Sequence, residues 1–294
     1  MSMKMFKLSV ISDEVSQDLR TVAKFARKHG LSGIEIRSAW GHSFFELVDK
    51  TDEVKSVMKE FGLEVPALAS PFFKANLGDE EEYKKHLKLL RKAIDMAKDL
   101  ECNIIRGFAF WRKGDFANYK EELLRRFEEP LDIIRENQII LAIENEPSTF
   151  ITNGRTLLWV INNLKHKYVR AVWDPGNELM DPENENPRTG YALLKDEIIH
   201  VHLKDGVRKN GEAEFKPIGE GEVDIKGQLK MLASDNYNGY VSLETHWRPV
   251  DLPKEVFDLF GQKFSEMGEY ASTICIQNLQ HIILEVQKEL ENQD

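Results

Sequence analysis

Long apolar runs are missing from this sequence. None approaches the roughly 18–20 residues that a bilayer span needs, and the opening stretch MSMKMFKLSVISDEV is interrupted at Asp13 and Glu14, so neither a membrane helix nor a secretory leader is expected. Cysteine is scarce: Cys102 and Cys275 stand far apart in apolar surroundings, which excludes a disulfide framework and predicts two buried free thiols. Positive charge is also in deficit. The 40 Lys and Arg face 50 Asp and Glu, a net charge of −10, and so acidic a chain lacks the basic footprint of non-specific nucleic-acid binding. No glycine-rich phosphate loop follows the first strand-like run, which leads into SDEVSQDL. An open dinucleotide-binding sheet would usually place its glycines there. No low-complexity linker and no internal repeat divides the chain. These absences predict a cytoplasmic globular protein folded as a single domain over residues 1–294.

Short apolar runs recur instead. Strands are predicted at Phe6–Ser12, Gly33–Ser38, Leu63–Ser70, Asn103–Phe110, Ile139–Glu146, Val169–Asp174, Ile198–Lys204 and Gly239–Thr245; most read as the continuous apolar segments of parallel strands covered on both faces. Amphipathic patterns alternate with them at Asp18–His29, Glu81–Leu100, Tyr119–Asn137, Arg155–Leu164, Ile225–Asp235 and Phe264–Leu290, with apolar residues at helical spacing. Eight strands alternating with helices is the count of an α/β (β/α)8 TIM barrel.

Four ligand-type residues fall near the ends of four successive runs: Glu144 in IILAIENE, Asp174 in VRAVWDPGN, His202 in IIHVHLKD and Glu244 in GYVSLETH. Period-two alternation puts Ala142 with Glu144, Val172 with Asp174, His200 with His202 and Ser242 with Glu244 on common faces, so all four can converge at the C-terminal mouth of a barrel. Taken singly, each has an ordinary reading. A strand-end Glu caps loops, a lone His is a hydrogen-bonded core residue, and Asp174 in Asp-Pro-Gly-Asn opens a turn. Together on consecutive strands, three carboxylates need a cation to offset their repulsion. Three oxygen donors and one imidazole suit one divalent ion, and Mn, Mg, Co and Zn are all compatible with that set.

The pattern IENEP, WDPGN, HVHLKDG, PIGEGEVD and GYVSLE, with SDEVSQDL and GIEIR upstream, resembles the xylose isomerase-like TIM-barrel superfamily and its sugar phosphate isomerase/epimerase branch. The resemblance covers almost the whole chain. It implies that Glu144, Asp174, His202 and Glu244 hold one divalent ion, and that Glu144 and Glu244 also remove and return a proton. The implied activity is isomerisation or epimerisation of a small keto sugar, inosose-like ketone or sugar phosphate through a cis-enediolate stabilised by the ion. A dehydratase of the inosose or dehydroshikimate type is the alternative on the same scaffold. Further off lie a sugar-binding barrel without catalysis and an apurinic endonuclease; the latter needs additional histidines that the strands Leu63–Ser70 and Asn103–Phe110 lack. The resemblance leaves a homo-oligomer open.

Substrate contacts are expected from Arg106, Glu146, Asn177, Lys204 and Arg208. Arg106 interrupts the apolar run IIRGFAF, and an arginine so placed calls for a partner. Lys204 shares the face of His202, where it can touch a substrate oxygen or pair with a carboxylate. Arg208 matches a substrate-contacting arginine of ketose epimerases. Two positions depart from those enzymes, which carry His and Glu where this chain has Asn177 and Phe150. Inosose-processing members often read Glu-Asn-His at strand five, where this chain reads Glu144-Asn145-Glu146. Trp111, Trp173 and Trp247 sit at or beyond strand ends, as aromatic walls or as packing.

Overall fold

Parallel strands wind into a barrel in the computed structural model, which describes residues 6–181, 183, 186–250 and 263–292. The barrel strands are β1 (Lys7–Ile11), β2 (Gly33–Glu35), β3 (Leu68–Phe72), β4 (Ile104–Gly107), β5 (Ile140–Glu144), β6 (Val169–Trp173), β7 (Ile198–Leu203) and β10 (Tyr240–Leu243). Their order is β2-β1-β10-β7-β6-β5-β4-β3, and two isolated parallel bridges, Gly33 to Glu64 and Ile36 to Leu68, join the two edge strands. The result is a nearly closed (β/α)8 TIM barrel. Its strands are buried on both faces, as in the run ILAIE of β5, where only Ile140 is partly exposed.

The connecting helices are α1 (Ser12–Val15), α2 (Leu19–Lys28), α3 (Phe44–Leu47), α4 (Thr51–Phe61), α5 (Glu80–Asp99), α6 (Lys120–Asn137), α7 (Gly154–Leu164), α8 (Pro175–Leu179), α9 (Pro187–Leu194), α10 (Ile225–Ser234) and α11 (Gly268–Glu291). Local chemistry starts and stops them. Asp18 accepts the Arg20 and Thr21 N–H groups at the start of α2, and Asp79 does the same for α5, satisfying donors that the first turn leaves open. None of the described helices is long and apolar enough to cross a membrane. Both cysteines are buried free thiols, and burial pushes each thiol pKa up to about 12.

Several predicted boundaries move. The third strand starts at Leu68 rather than Leu63; Pro66 in the intervening stretch has no N–H to give a ladder. Helix α4 escapes the periodicity because charged residues surround its three buried positions, Val54, Val57 and Met58. Helix α9 escapes it because its Asn- and Pro-rich approach reads as a turn. The last helix begins at Gly268, not Phe264. An antiparallel arm, β8 (Asp205–Lys209) and β9 (Glu212–Lys216), leaves the barrel after β7. It turns at Asn210 and Gly211, both with positive φ, as an Asn-Gly hairpin requires.

Candidate metal centre at the barrel mouth

The four strand-end residues meet. One donor atom from each of Glu144, Asp174, His202 and Glu244 lies within 4.8 Å of the others, and all four are buried. Strand register explains the meeting: His202 sits opposite Ser242 on β10, and Val172 on β6 sits opposite both Glu144 and His200. Asp174 also caps α8, accepting the Asn177 N–H at 2.9 Å, so its turn role and its place in the cluster coexist.

His202 stands between two sets of carboxylates. Its Nε2 is 3.0 Å from Glu35 Oε2, while its Nδ1 is 3.1 Å from Glu144 Oε1 and 3.8 Å from Glu244 Oε2. Both ring nitrogens face carboxylates, which can only accept, so both donate; loss of the Nδ1 proton would keep Nε2–H on Glu35 and aim the Nδ1 lone pair at the cluster, the tautomer a ligand needs. Glu35 also takes His200 Nε2 at 2.8 Å, which makes His200 a hydrogen-bonded core histidine. Glu35 thus fixes the orientation of the His202 ring. Substituting Glu35→Gln replaces the acceptor of two rings by an amide with one acceptor oxygen, and is expected to weaken divalent-ion affinity about 10–100-fold. Ion titration followed by calorimetry measures this; unchanged affinity would dispose of the role.

Basic side chains thread between the carboxylates. Lys204 Nζ bridges Asp174 and Glu244, 2.6 Å from the latter. Its stem passes so close to α8 that a Cβ at Gly176 would lie 2.8 Å from Lys204 Cγ, so glycine is needed there. Arg106 Nη1 is 3.2 Å from Glu144 Oε2, and its other nitrogens donate to the carbonyls of Ala69 and Ser70. Arg37 reaches Asp13, Glu14 and Glu244 at 2.7–2.8 Å. Glu14 in turn accepts the backbone N–H of His246 and faces Arg248.

Charge sets the protonation of these groups. Burial alone would raise Glu144, yet His202 and Arg106 hold it below the ordinary carboxylate value. Burial likewise opposes ionisation of Glu244, but Lys204, His246, His202 and Arg37 keep it well below that value. Burial wins at Asp174, raising it to about 6 against the pull of Lys204. At His202 burial disfavours the proton, and Glu35 and Glu144 overcome it and carry the ring to about 10.

The donor set fits a divalent cation. Three hard oxygen donors and one imidazole nitrogen lie within 4.8 Å of one another, and among the described residues buried Glu144 Oε2 has no hydrogen bond, only the Arg106 ion pair. Glu144, Asp174, His202 and Glu244 would hold such an ion.

A cavity of about 290 Å³ is walled by Lys74, Phe44, Phe45 and Trp111 and by Arg37 and Arg106, which pair with Glu244 and Glu144 of the cluster. The backbone around the mouth is strained: Trp40, Phe73, Phe110 and His246, each beyond a strand end, have φ between 47° and 62°. Bulky residues adopt that conformation at a cost, and such positions gather at functional sites. The Phe73 N–H is held by His86 Nδ1 at 3.0 Å, a use for a helix histidine that the sequence does not advertise.

The other predicted residues divide. Arg106 and Lys204 join the cluster. Asn177 Nδ2 donates to Glu144 Oε1 and to the Asn145 carbonyl, so in this state it orients Glu144. Glu146 pairs with Lys74 at 2.9 Å; burial would raise it, but Lys74 and Lys204 bring it down to about 2. Arg208 is carried on the β8–β9 arm, partly exposed, with its backbone N–H bonded to Glu222. Of the tryptophans, Trp111 lines the cavity, whereas Trp173 is fully buried packing with its Nε1–H on Gln228. Sequence reasoning missed Glu35, Arg37, Asp13, Glu14 and Lys74. Glu35 and Arg37 stand two apart in the apolar run GIEIR, the same signal that singles out Arg106.

Known proteins share this fold. A family model described as xylose isomerase-like TIM barrel matches residues 23–262. The inosose dehydratase of Clostridium perfringens is 22% identical over 272 residues, 85% of this chain and 81% of that protein. The 3-dehydro-D-guloside 4-epimerase of Escherichia coli is 25% identical over 256 residues, 78% of this chain and 87% of that protein. Among solved structures, an IOLI protein with a bound zinc atom superposes with a TM-score of 0.73 at 16% identity, covering 97% of this chain and 99% of that one; at that identity the likeness speaks for the fold.

Proposed function

Because the chain belongs to the xylose isomerase-like TIM-barrel family, we propose that it is a divalent-metal-dependent isomerase or epimerase that moves a proton on the carbon beside a ketone of a small sugar or polyol. The observation that carries this reading is the convergence of Glu144, Asp174, His202 and Glu244 within 4.8 Å. An ion held by them would supply Lewis-acid polarisation of the substrate carbonyl. Glu144 and Glu244 come from the ends of β5 and β10, strands separated by β6 and β7 in the sheet order, and approach the centre from different sides. One takes the proton and the other returns it. Asp174 and His202 serve as holders, Glu35 and Asn177 fix the orientation of His202 and Glu144, and Lys204 and Arg106 offer N–H donors to substrate oxygens. Phe44, Phe45 and Trp111 keep water from the reacting carbon.

The same proton abstraction followed by loss of a hydroxyl from the next carbon makes a dehydratase, the activity named for the Clostridium perfringens relative. One experiment separates the readings. Purified protein is assayed for bound metal, then incubated with a panel of ketoses and inososes in D₂O, with and without chelator. Metal-dependent deuterium uptake with no loss of water is the expected result. An absorbing enone product would assign the dehydratase instead, and absence of both bound ion and metal-dependent exchange would sink the proposal.

A further inference from the structure

The cations that line the cavity already have carboxylates. Lys74 is 2.9 Å from Glu146, Arg106 is 3.2 Å from Glu144, and Arg37 is shared among Asp13, Glu14 and Glu244. Deeper in, Lys204 lies between Asp174 and Glu244, and Arg248 faces Glu14. These pairs, together with Glu35 behind His200 and His202, take in seven carboxylates, Asp13, Glu14, Glu35, Glu144, Glu146, Asp174 and Glu244. The basic side chains they pair with are five, Arg37, Lys74, Arg106, Lys204 and Arg248. Carboxylates outnumber these basic side chains by two, and Glu35 and Glu144 also face the His202 imidazole.

Among these residues no positive charge remains for an anionic substrate group. Sites for phosphate or carboxylate ligands present unpaired Arg or Lys, or backbone N–H groups at a helix start; the helix start on this wall, at Ser43 of the four-residue α3, has the Ser43 N–H and hydroxyl taken by Glu46. A phosphate entering this cavity would have to draw Lys74, Arg106 or Arg37 away from a carboxylate that is itself buried or half-buried, leaving that charge unpaired. The walls match a neutral ligand: Phe44, Phe45 and Trp111 offer apolar faces, and the volume of about 290 Å³ lies at the small end of ligand cavities, roughly 300–1,000 Å³.

Resting on the reading of the site as a sugar isomerase or epimerase, we infer that the cavity selects an uncharged keto sugar or keto polyol and rejects the corresponding phosphate esters and keto acids. The Lys74–Glu146 pair, with the ammonium 4.5 Å from the Phe108 ring centre and 5.5 Å from that of Trp111, presents one donor and one acceptor side by side. That couple matches a hydroxyl, which donates and accepts.

Two measurements test this. Metal-loaded protein is compared in D₂O on D-fructose against D-fructose 6-phosphate, D-ribulose against D-ribulose 5-phosphate, and an inosose against 3-dehydroshikimate. The neutral member of a pair is expected to exchange with a kcat/KM at least about tenfold higher; equal or faster exchange of the charged member overturns the inference while leaving the proton-transfer reading intact. The second measurement needs no turnover. Calorimetric titration with inorganic phosphate is expected to show no binding to the wild-type holoprotein and at least about tenfold tighter binding to Glu146→Gln, which frees Lys74. Wild-type protein that binds phosphate as well as Glu146→Gln does would overturn the inference on its own.

Discussion

Replacing Glu244 by glutamine is expected to lower metal-dependent proton exchange by about 10²–10⁴-fold while the barrel and a bound ion persist. The isosteric amide keeps one ligand oxygen but has no basic form at any working pH, so a transferred proton has nowhere to go. Glu244 receives Arg37 at Oε1 and Lys204 at Oε2, and an amide satisfies only one of these cations. Ion affinity therefore drops as well, and the exchange rate is to be compared at saturating metal. A loss confined to ion affinity, with full exchange once the site is filled, would assign Glu244 as a holder only and move the proton to another group.

Arg37→Met should cost about 3–5 kcal/mol of folding stability, the range for removing one partner of a buried ion pair. The guanidinium belongs to a residue only 3% exposed, lies 5.0 Å from the Phe264 ring centre and is the shared partner of Asp13, Glu14 and Glu244. Methionine retains bulk and packing but leaves those carboxylates short of charge. Asp13 indicates the direction of the effect: burial already raises its pKa with Arg37 present. Without the arginine the carboxyls titrate above their unfolded values, so the folded state binds more protons and the penalty shrinks as pH falls. In the wild type the sign is opposite at Glu14, where burial is outweighed by His246 and Arg37 and the carboxyl is held well below its ordinary value; its stabilisation is lost on acidification. Urea unfolding from pH 7.5 to pH 4.5 should thus show the two proteins converging. A loss under about 1 kcal/mol, or a gap independent of pH, would contradict the role given to Arg37.

Much of the fold was readable along the chain. The eight strand runs are legible because parallel strands covered on both faces must be continuously apolar, and polar residues at their ends stand out against that background. The same contrast exposes Arg106. It also marks Glu35 and Arg37 in GIEIR, whose roles stay hidden along the chain because their partners His202 and Glu244 lie 167 and 207 residues away. The Asn210-Gly211 turn was likewise open to reading as a hairpin. Helix α4 was not, since most of its residues face water and the buried stripe is narrow.

By itself the sequence determined the barrel, the alternation that puts Glu144, Asp174, His202 and Glu244 on one face, and the chemistry of a divalent-ion donor set. Those follow from periodicity and side-chain type, which are local properties. Only the tertiary structure decided the partners. It placed Glu35 behind His202, Arg37 against Glu244, and Lys74 against Glu146 across 72 residues. Salt bridges between distant strands leave no spacing rule in a chain, because any carboxylate of the right reach will serve. Whether the cavity carries spare positive charge therefore becomes visible only when the barrel closes.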